Sequence, residues 1–175
     1  MPTRSPPSRA GPCRPVWGVG WLEEPMAADA PDADWRALKA AARLPLAGAE
    51  NLRGLDRVKT ALEWLDFIQP DVGKWGGVTD CFRIAQMALD AGRTYCPHWL
   101  AGGVGLAHSA NLLAAAGGAG LLEMDVNENP FRDQILGGAL SVRDGFVDLP
   151  DGPGIGLDPD LEAMARWRIS AAMLD

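Results

Sequence analysis

Five side chains that can take up or give up a proton recur along the chain at nearly even spacing. Four of them are acidic and one is an imidazole, and neighbouring members lie 21 to 27 residues apart. Each member ends a short apolar run. The five residues are Glu23, Glu50, Asp71, His98 and Glu123.

This spacing is close to the length of one βα unit, which is about 25 to 30 residues. It therefore predicts one polar group at the end of each strand. In a (β/α)₈ barrel all strands run parallel, and their C-terminal ends meet at one mouth. Residues spread over a hundred positions would then line a single pocket, so the pattern indicates an active site.

Helical patterns lie between these apolar runs. In each of them apolar residues recur at three- and four-residue spacing, or small apolar residues cover most faces. The predicted helices are Pro31 to Leu44, Leu52 to Leu65, Val78 to Ala91 and Gly105 to Ala116. Strands that alternate with helices through short loops indicate a parallel sheet with right-handed crossovers.

The alternation stops after Glu123. Residues Leu140 to Leu149 predict a β-hairpin, because Asp144-Gly145 suits a type I′ turn. A Gly/Pro loop follows, and Asp160 to Ala172 is predicted as a final helix. The predicted fold class is thus α/β: a partial (β/α)₈ TIM barrel of about five βα strands, with a C-terminal hairpin and helix. A closed barrel has eight strands.

Composition narrows the functional class. The net charge of −7 argues against a nucleic-acid-binding surface, which needs clustered Lys and Arg. No apolar run approaches the roughly 20 residues that a membrane span needs. The three cysteines are widely spaced and form no CxxC motif, so we expect neither a disulfide framework nor a thiolate zinc site. These features favour a cytoplasmic protein.

The first residues differ from the rest. Met1 to Pro15 contain five of the fourteen prolines and three arginines, with no acidic residue. Five prolines do not allow the amphipathic helix of a transit peptide. We predict that residues 1–17 are a disordered leader or are not native coding sequence, and that residues 18–175 form the barrel part.

Several motifs in this second part resemble the mandelate racemase branch of the enolase superfamily. Their order and spacing match the last five strands of that family's barrel. The motifs are Trp21-Leu22-Glu23-Glu24-Pro25, Gly48-Ala49-Glu50-Asn51, Gln69-Pro70-Asp71 with Gly76-Gly77-Val78-Thr79, Pro97-His98, and Leu122-Glu123-Met124-Asp125. The resemblance implies the C-terminal part of an enolase-type TIM barrel.

The resemblance also implies the chemistry. Enzymes of this family remove a proton α to a carboxylate, and Mg²⁺ stabilises the enediolate that forms. Glu23 and Glu50 would be Mg²⁺ ligands, since Mg²⁺ prefers hard oxygen donors. The substrate would be a small acid sugar or 2-hydroxy acid.

The remaining residues would move protons or bind substrate. His98 and Asp71 would form the general acid–base dyad, in which the carboxylate sets the imidazole tautomer. Glu123 would hydrogen-bond the substrate as a protonated carboxyl, which requires a raised pKa. Lys74 and Asn127 are predicted substrate contacts.

Two parts of the family pattern have no counterpart here. The third metal carboxylate and the lysine base on the second strand precede Glu23 in the family, and residues 1–17 contain no Asp, Glu or Lys. Three functions stay open: an acid-sugar dehydratase, a racemase or epimerase, and a catalytically inactive fragment. A homo-oligomer would cover the open edges of a partial barrel.

Overall fold

A parallel four-stranded sheet forms the centre of the chain. The computed structural model describes residues 18–170, and the predicted leader, residues 1–17, lies outside them. The sheet order follows the chain, β1-β2-β3-β4, with parallel pairing throughout. Its strands are β1 (Leu22–Glu23), β2 (Leu46–Gly48), β3 (Phe67–Ile68) and β4 (Thr94–Tyr95). The predicted α/β partial barrel is confirmed.

One helix follows each strand, as the apolar patterns predicted. The helices are α1 (Asp32–Ala41), α2 (Leu55–Ala61), α3 (Gly77–Asp90) and α4 (Gly103–Ala116). Helices α1 and α2 are shorter than predicted, because turns replace their ends. Helix α3 stops where Gly92 takes a φ of 67° and its N–H bonds the Leu89 carbonyl at 2.9 Å. A residue with a Cβ adopts that conformation only at a cost.

The two faces of the sheet have different roles. Leu46, Ile68 and Tyr95 point to the helices and are at most 1% exposed. They pack with residues such as Val58 and Ile84 in the main core. Each such side chain contributes about 1.5–3 kcal/mol through burial. This packing fixes the strands, and the strands in turn fix the polar residues at their ends.

The predicted fifth strand, which ends at Glu123, is not formed. Residues 119–126 run beside β4 without ladder hydrogen bonds. The N–H of Leu121 bonds the Cys96 sulfur at 3.3 Å instead of a backbone carbonyl. Gly117 and Gly118, with φ of 76° and 84°, lead into this segment. The described residues therefore form four barrel strands, and a fifth segment contacts β4 without pairing with it.

The C-terminal part also departs from prediction. The hairpin is reduced to one bridge between Arg143 and Phe146, although Asp144 and Gly145 both have the positive φ of a type I′ turn. A short helix, α5 (Pro130–Asp133), was not predicted.

The predicted helix Asp160 to Ala172 is wrong for the residues described, which end at 170. Only a 3₁₀ turn, Ala165–Trp167, forms there. Leu161 and Ile169 are 62% and 99% exposed, so this segment lacks the packing surface on which a short helix depends. None of the helices within residues 18–170 has the length and apolar character that crossing a bilayer would require.

The fifth segment approaches β4 so closely that glycine is needed at position 120. A Cβ on Gly120 would overlap the Tyr95 carbonyl oxygen and press on the Leu113 side chain. We expect Gly120→Ala to lower the free energy of unfolding by about 1–3 kcal/mol or more, since this range is the usual cost of overpacking. Urea unfolding measures this change.

Gly20→Ala is the matched control, because nothing lies within 4 Å of a Cβ placed there. Equal free energies of unfolding for the two variants would contradict the close approach of residue 120 to β4.

Candidate active site

The polar residues selected from the sequence lie at one edge of the sheet. Glu23 ends β1, Glu50 follows β2 by two residues, and Asp71 and His98 each follow their strand by three. All four strands are parallel, so their C-terminal ends share this edge. A further parallel bridge joins Asp71 to His98 beyond β3 and β4.

His98 and Asp71 form a buried pair. His98 Nδ1 lies 2.8 Å from Asp71 Oδ2, and the residues are 5% and 7% exposed. A carboxylate can only accept, so the Nδ1 atom carries the proton. The other oxygen, Asp71 Oδ1, accepts from the N–H groups of Gly73 and Lys74 at 2.8 and 3.0 Å. The carboxylate is thus held on both oxygens, and it fixes the orientation of the ring.

The second nitrogen of the ring faces another carboxylate. His98 Nε2 is in close contact with Glu50 Oε2. Because Nδ1 already donates to Asp71, Nε2 can donate to Glu50 only when the ring carries a second proton. Lys74 Nζ lies 3.1 Å from the same Glu50 oxygen, while Asn51 Nδ2 donates to Glu50 Oε1 at 2.7 Å. Glu50 is therefore surrounded by donors, two of which can be cationic.

The backbone before Glu50 is unusual. Ala49 has a φ of 101°, a value that residues with a Cβ rarely adopt. Ala49 is 4% exposed and packs in the main core, which compensates for this conformation. The turn directs the chain out of β2 where Glu50 begins the loop.

Glu23 has two side-chain donors on one oxygen. Trp21 Nε1 and Gln69 Nε2 lie 2.9 and 3.0 Å from Glu23 Oε2. Trp21 also packs against Phe67, with ring centroids 4.7 Å apart. Within residues 18–170 no donor lies on Glu23 Oε1, so this oxygen is available to a ligand.

Glu123 lies in the extended segment beside β4. Burial raises the pKa of this carboxyl, and the charges of Glu23 and Glu50 raise it further. The charge of His98 and the N–H of Trp99, which is 3.3 Å from Glu123 Oε2, act in the opposite direction. The net effect raises the pKa of Glu123, in the direction that its predicted role as a proton-bearing carboxyl requires.

The two predicted substrate contacts have different surroundings. Lys74 is bound to Glu50 and also reaches Asn51 Oδ1 at 3.3 Å, so it belongs to the polar cluster. Asn127 is exposed, and its backbone and side-chain N–H groups both donate to Asp125 Oδ1. The contacts of the described residues do not connect Asn127 with His98 or Glu50, and its binding role stays a prediction.

Four residues of the site were missed as functional groups. Trp21 and Gln69 hydrogen-bond to Glu23, Asn51 to Glu50 and Trp99 to Glu123. Each lies within two residues of a selected residue along the chain. Gln69 could have been found from strand alternation, because it precedes Asp71 by two positions and so shares its face.

The donor set partly fits Mg²⁺. Glu23 and Glu50 offer carboxylate oxygens, and Mg²⁺ binds through one or two carboxylates while keeping several waters. Gln69 Oε1 is a buried acceptor without a partner on the same face. Among residues 18–170, however, no three His, Cys, Asp or Glu side chains are arranged to hold a metal ion. Glu23 and Glu50 are therefore two candidate ligands, and residues 18–170 place no third carboxylate, imidazole or thiol with them.

Parallel strands that alternate with helices and carry acidic and imidazole groups at their C-terminal ends are the arrangement of part of a (β/α)₈ barrel. The Enolase C-terminal domain-like family model matches residues 9–164. The chain belongs to this family, and its predicted resemblance to the mandelate racemase branch of the enolase superfamily is confirmed.

Individual relatives are acid-sugar enzymes by name. The chain is 31% identical to D-galactarolactone cycloisomerase of Agrobacterium fabrum, over 87% of this chain and 43% of that protein. It is 30% identical to arabinonate dehydratase of Saccharolobus solfataricus, over 79% and 37% respectively.

A solved structure, the mandelate racemase/muconate lactonizing enzyme from Bordetella bronchiseptica RB50, is 44% identical with a TM-score of 0.79, over 85% of this chain and 42% of that one. The chain thus spans about two fifths of the length of the relatives it matches.

The raised pKa of Glu123 predicts a pH-dependent stability. The folded chain holds this proton more tightly than the unfolded chain, so the free energy of unfolding falls as pH rises from the ordinary value of 4.5 through the raised pKa. Glu123→Gln stays neutral and should lose less stability than the wild type between about pH 4 and about pH 7. Urea unfolding at both pH values measures this difference.

Glu128→Gln, at an exposed position, is the control and should follow the wild type. If Glu123→Gln also followed the wild type, Glu123 would bind protons equally in both states.

Proposed function

We propose that this chain carries the C-terminal part of a Mg²⁺-dependent site that removes a proton α to a carboxylate, and that the reaction is the dehydration of an acid sugar. The observation that carries the proposal is the buried His98–Asp71 pair, whose second ring nitrogen, Nε2, contacts Glu50. This arrangement joins an acid–base group to a carboxylate suited to a hard cation. The names of the relatives support the substrate class.

Glu23 and Glu50 would hold the Mg²⁺ ion. When bound, Mg²⁺ supplies positive charge that stabilises the enediolate as it forms. Glu23 Oε1 is free to act as a ligand, whereas Glu50 must first exchange its contacts with His98 and Lys74. Lys74 would then be free to contact the substrate carboxylate.

His98 Nε2 is the atom that would transfer the proton. Asp71 accepts from Nδ1, so the proton that moves is the one on Nε2. In the present structure Nε2 lies against Glu50 Oε2. If Glu50 gave up this contact in order to hold a cation, His98 Nε2 would be available to the departing hydroxyl of the substrate. Asp71 stabilises the charged ring before the transfer.

Glu123 would donate a hydrogen bond from its protonated carboxyl to the oxygen that becomes negative. Its raised pKa supports this role, because only the protonated form is a donor. Trp99 positions the carboxyl through its backbone N–H.

Dehydration is favoured over racemisation or epimerisation because of what these two reactions require. Racemisation requires a second acid–base group on the opposite face of the carbon, and in the resembling family the lysine for that role precedes Glu23. Dehydration can use one imidazole: a neutral His98 Nε2 would take the α-proton and then give it to the hydroxyl that leaves from the same face, so that water departs. One relative is a cycloisomerase by name, so ring closure or opening at the same enediolate is the alternative that the comparisons support.

Proton transfer by His98 can be measured by isotope exchange. With Mg²⁺ and an acid sugar in D₂O, the chain should produce deuterium exchange at the α-carbon or loss of water. His98→Ala should slow this reaction by about 10²–10⁴-fold, the usual contribution of a general acid–base group. Proton NMR measures the exchange, and mass spectrometry distinguishes dehydration from racemisation.

His108→Ala is the control, because His108 bonds the Val104 carbonyl within α4 and should not affect the rate. If no acid sugar in a broad panel reacted with the wild-type chain, the catalytically inactive fragment would be the correct alternative.

The metal role of Glu50 is tested without catalysis. Calorimetric titration with Mg²⁺ should give a saturable signal, and Glu50→Gln should weaken binding at least about tenfold because a carboxylate ligand is lost. Glu128→Gln removes the same charge at an exposed position and is the control. Equal weakening in both variants would indicate only a general effect of net charge.

A further inference from the structure

Gln69 is a buried polar residue for which neither the family motifs nor the proposed reaction provides a role. It is 3% exposed and follows β3 directly, where its N–H bonds the Gly48 carbonyl at 2.7 Å. Its side chain shares the face of the sheet that bears Asp71, because the two residues are two positions apart. Gln69 therefore lies inside the polar edge of the sheet, not in the apolar core.

The side chain of Gln69 reaches across a whole strand. Its Nε2 donates to Glu23 Oε2 at 3.0 Å, although Glu23 is on β1 and β2 lies between. Ala47 is the residue of β2 that pairs with Glu23, and its small side chain leaves the face of the sheet open there. The contact thus links the two strands that flank β2 through a single amide.

The opposite end of the same amide has no partner. Gln69 Oε1 is buried and accepts no hydrogen bond. Exchanging the positions of oxygen and nitrogen would place Oε1 against the Glu23 carboxylate, so Glu23 determines the orientation. A buried acceptor without a donor is costly, and native structures contain few. Residues 18–170 supply no donor to this oxygen, so it is open to a donor from a group that binds at this edge.

We propose that Gln69 is a positioning residue with two functions: Nε2 holds Glu23 in place, and Oε1 accepts a hydrogen bond from an O–H donor that arrives with the bound ligands. This inference rests on the proposed function, since it assumes that Glu23 binds the cation. The O–H group is either a water on Mg²⁺ or a hydroxyl of the acid sugar. Gln69 supports the metal carboxylate and does not itself contact the cation.

The first experiment replaces Gln69 by a side chain of similar size that has neither group. Gln69→Met should raise the Kd for Mg²⁺ about tenfold or more in calorimetry, as loss of a group that orients a ligand does. Trp21 still donates to Glu23, so binding is weakened but not abolished. The melting temperature of the metal-free variant should stay close to that of the wild type, because an unpartnered acceptor is removed along with one donor.

The matched control is Gln86→Met, at an exposed position of α3. It should change neither the Kd nor the melting temperature. A Gln69→Met variant that melts earlier but binds Mg²⁺ as the wild type does would overturn the proposal, because Gln69 would then be structural only. If the wild-type chain itself gives no saturable Mg²⁺ signal, the proposed metal site fails and this role fails with it. The first outcome contradicts only the role of Gln69, whereas the second contradicts the proposed metal site as well.

The second experiment needs no variant. In the wild-type chain, the side-chain amide resonances of Gln69 should shift in ¹H–¹⁵N spectra when ligands bind, while those of Gln86 stay in place. A shift with Mg²⁺ alone identifies water as the donor. A shift that requires Mg²⁺ together with D-gluconate, as an acid-sugar probe, identifies the substrate hydroxyl. No shift under either condition would overturn the acceptor role of Gln69.

Discussion

The hydrogen bond between His98 and Asp71 depends on parallel pairing that continues beyond β3 and β4. Ile68 pairs with Tyr95 inside the sheet, and the bridge between Asp71 and His98 keeps the same register three residues further on. A slip of one residue would move one of the two side chains to the opposite face. The apolar core prevents such a slip, because Ile68 and Tyr95 are almost completely buried on the helix side. Packing on one face of the sheet therefore sets the chemistry on its edge.

The carboxylates at this edge of the sheet differ in how far nearby donors compensate their negative charge. Glu50 is in contact with His98, Lys74 and Asn51, so its negative charge is compensated by donors from three directions. Glu123 accepts from a single backbone N–H and is half-buried, and its pKa is raised. The same cluster thus contains one carboxylate in strong contact with cationic groups and one that tends to keep its proton. Such a difference between neighbouring carboxylates is what distinct acid–base roles require.

The apolar periodicity of the sequence predicted which helices and strands alternate better than it predicted where each of them begins and ends. Helices α1 to α4 were predicted because each has an apolar face that packs on the sheet. The sequence predicted a fifth strand and did not indicate that this segment would stay unpaired. The reason lies in tertiary contacts: a bond to the Cys96 sulfur and the close approach of Gly120 replace pairing with β4. The prediction of the final helix was wrong for a tertiary reason, since no surface within residues 18–170 covers Leu161 and Ile169. The role of Gln69 depends on strand order, which local sequence does not contain.

The His98–Asp71 pair and Glu23 differ in how firmly the surrounding residues hold them in place. Asp71 and His98 are buried between β3, β4 and the loops that follow, and every polar atom of the pair has a partner within residues 18–170. Glu23 is exposed on β1, which is the edge strand of the sheet formed by residues 18–170, and its neighbour Leu22 is 39% exposed. An edge strand is held from one side only, so Glu23 depends on the donors that reach it from Trp21 and Gln69. The His98–Asp71 pair is therefore preorganised by the sheet itself. The Glu23 carboxylate on β1 is held by two side chains, so under the proposed metal role the Gln69 amide would control its position.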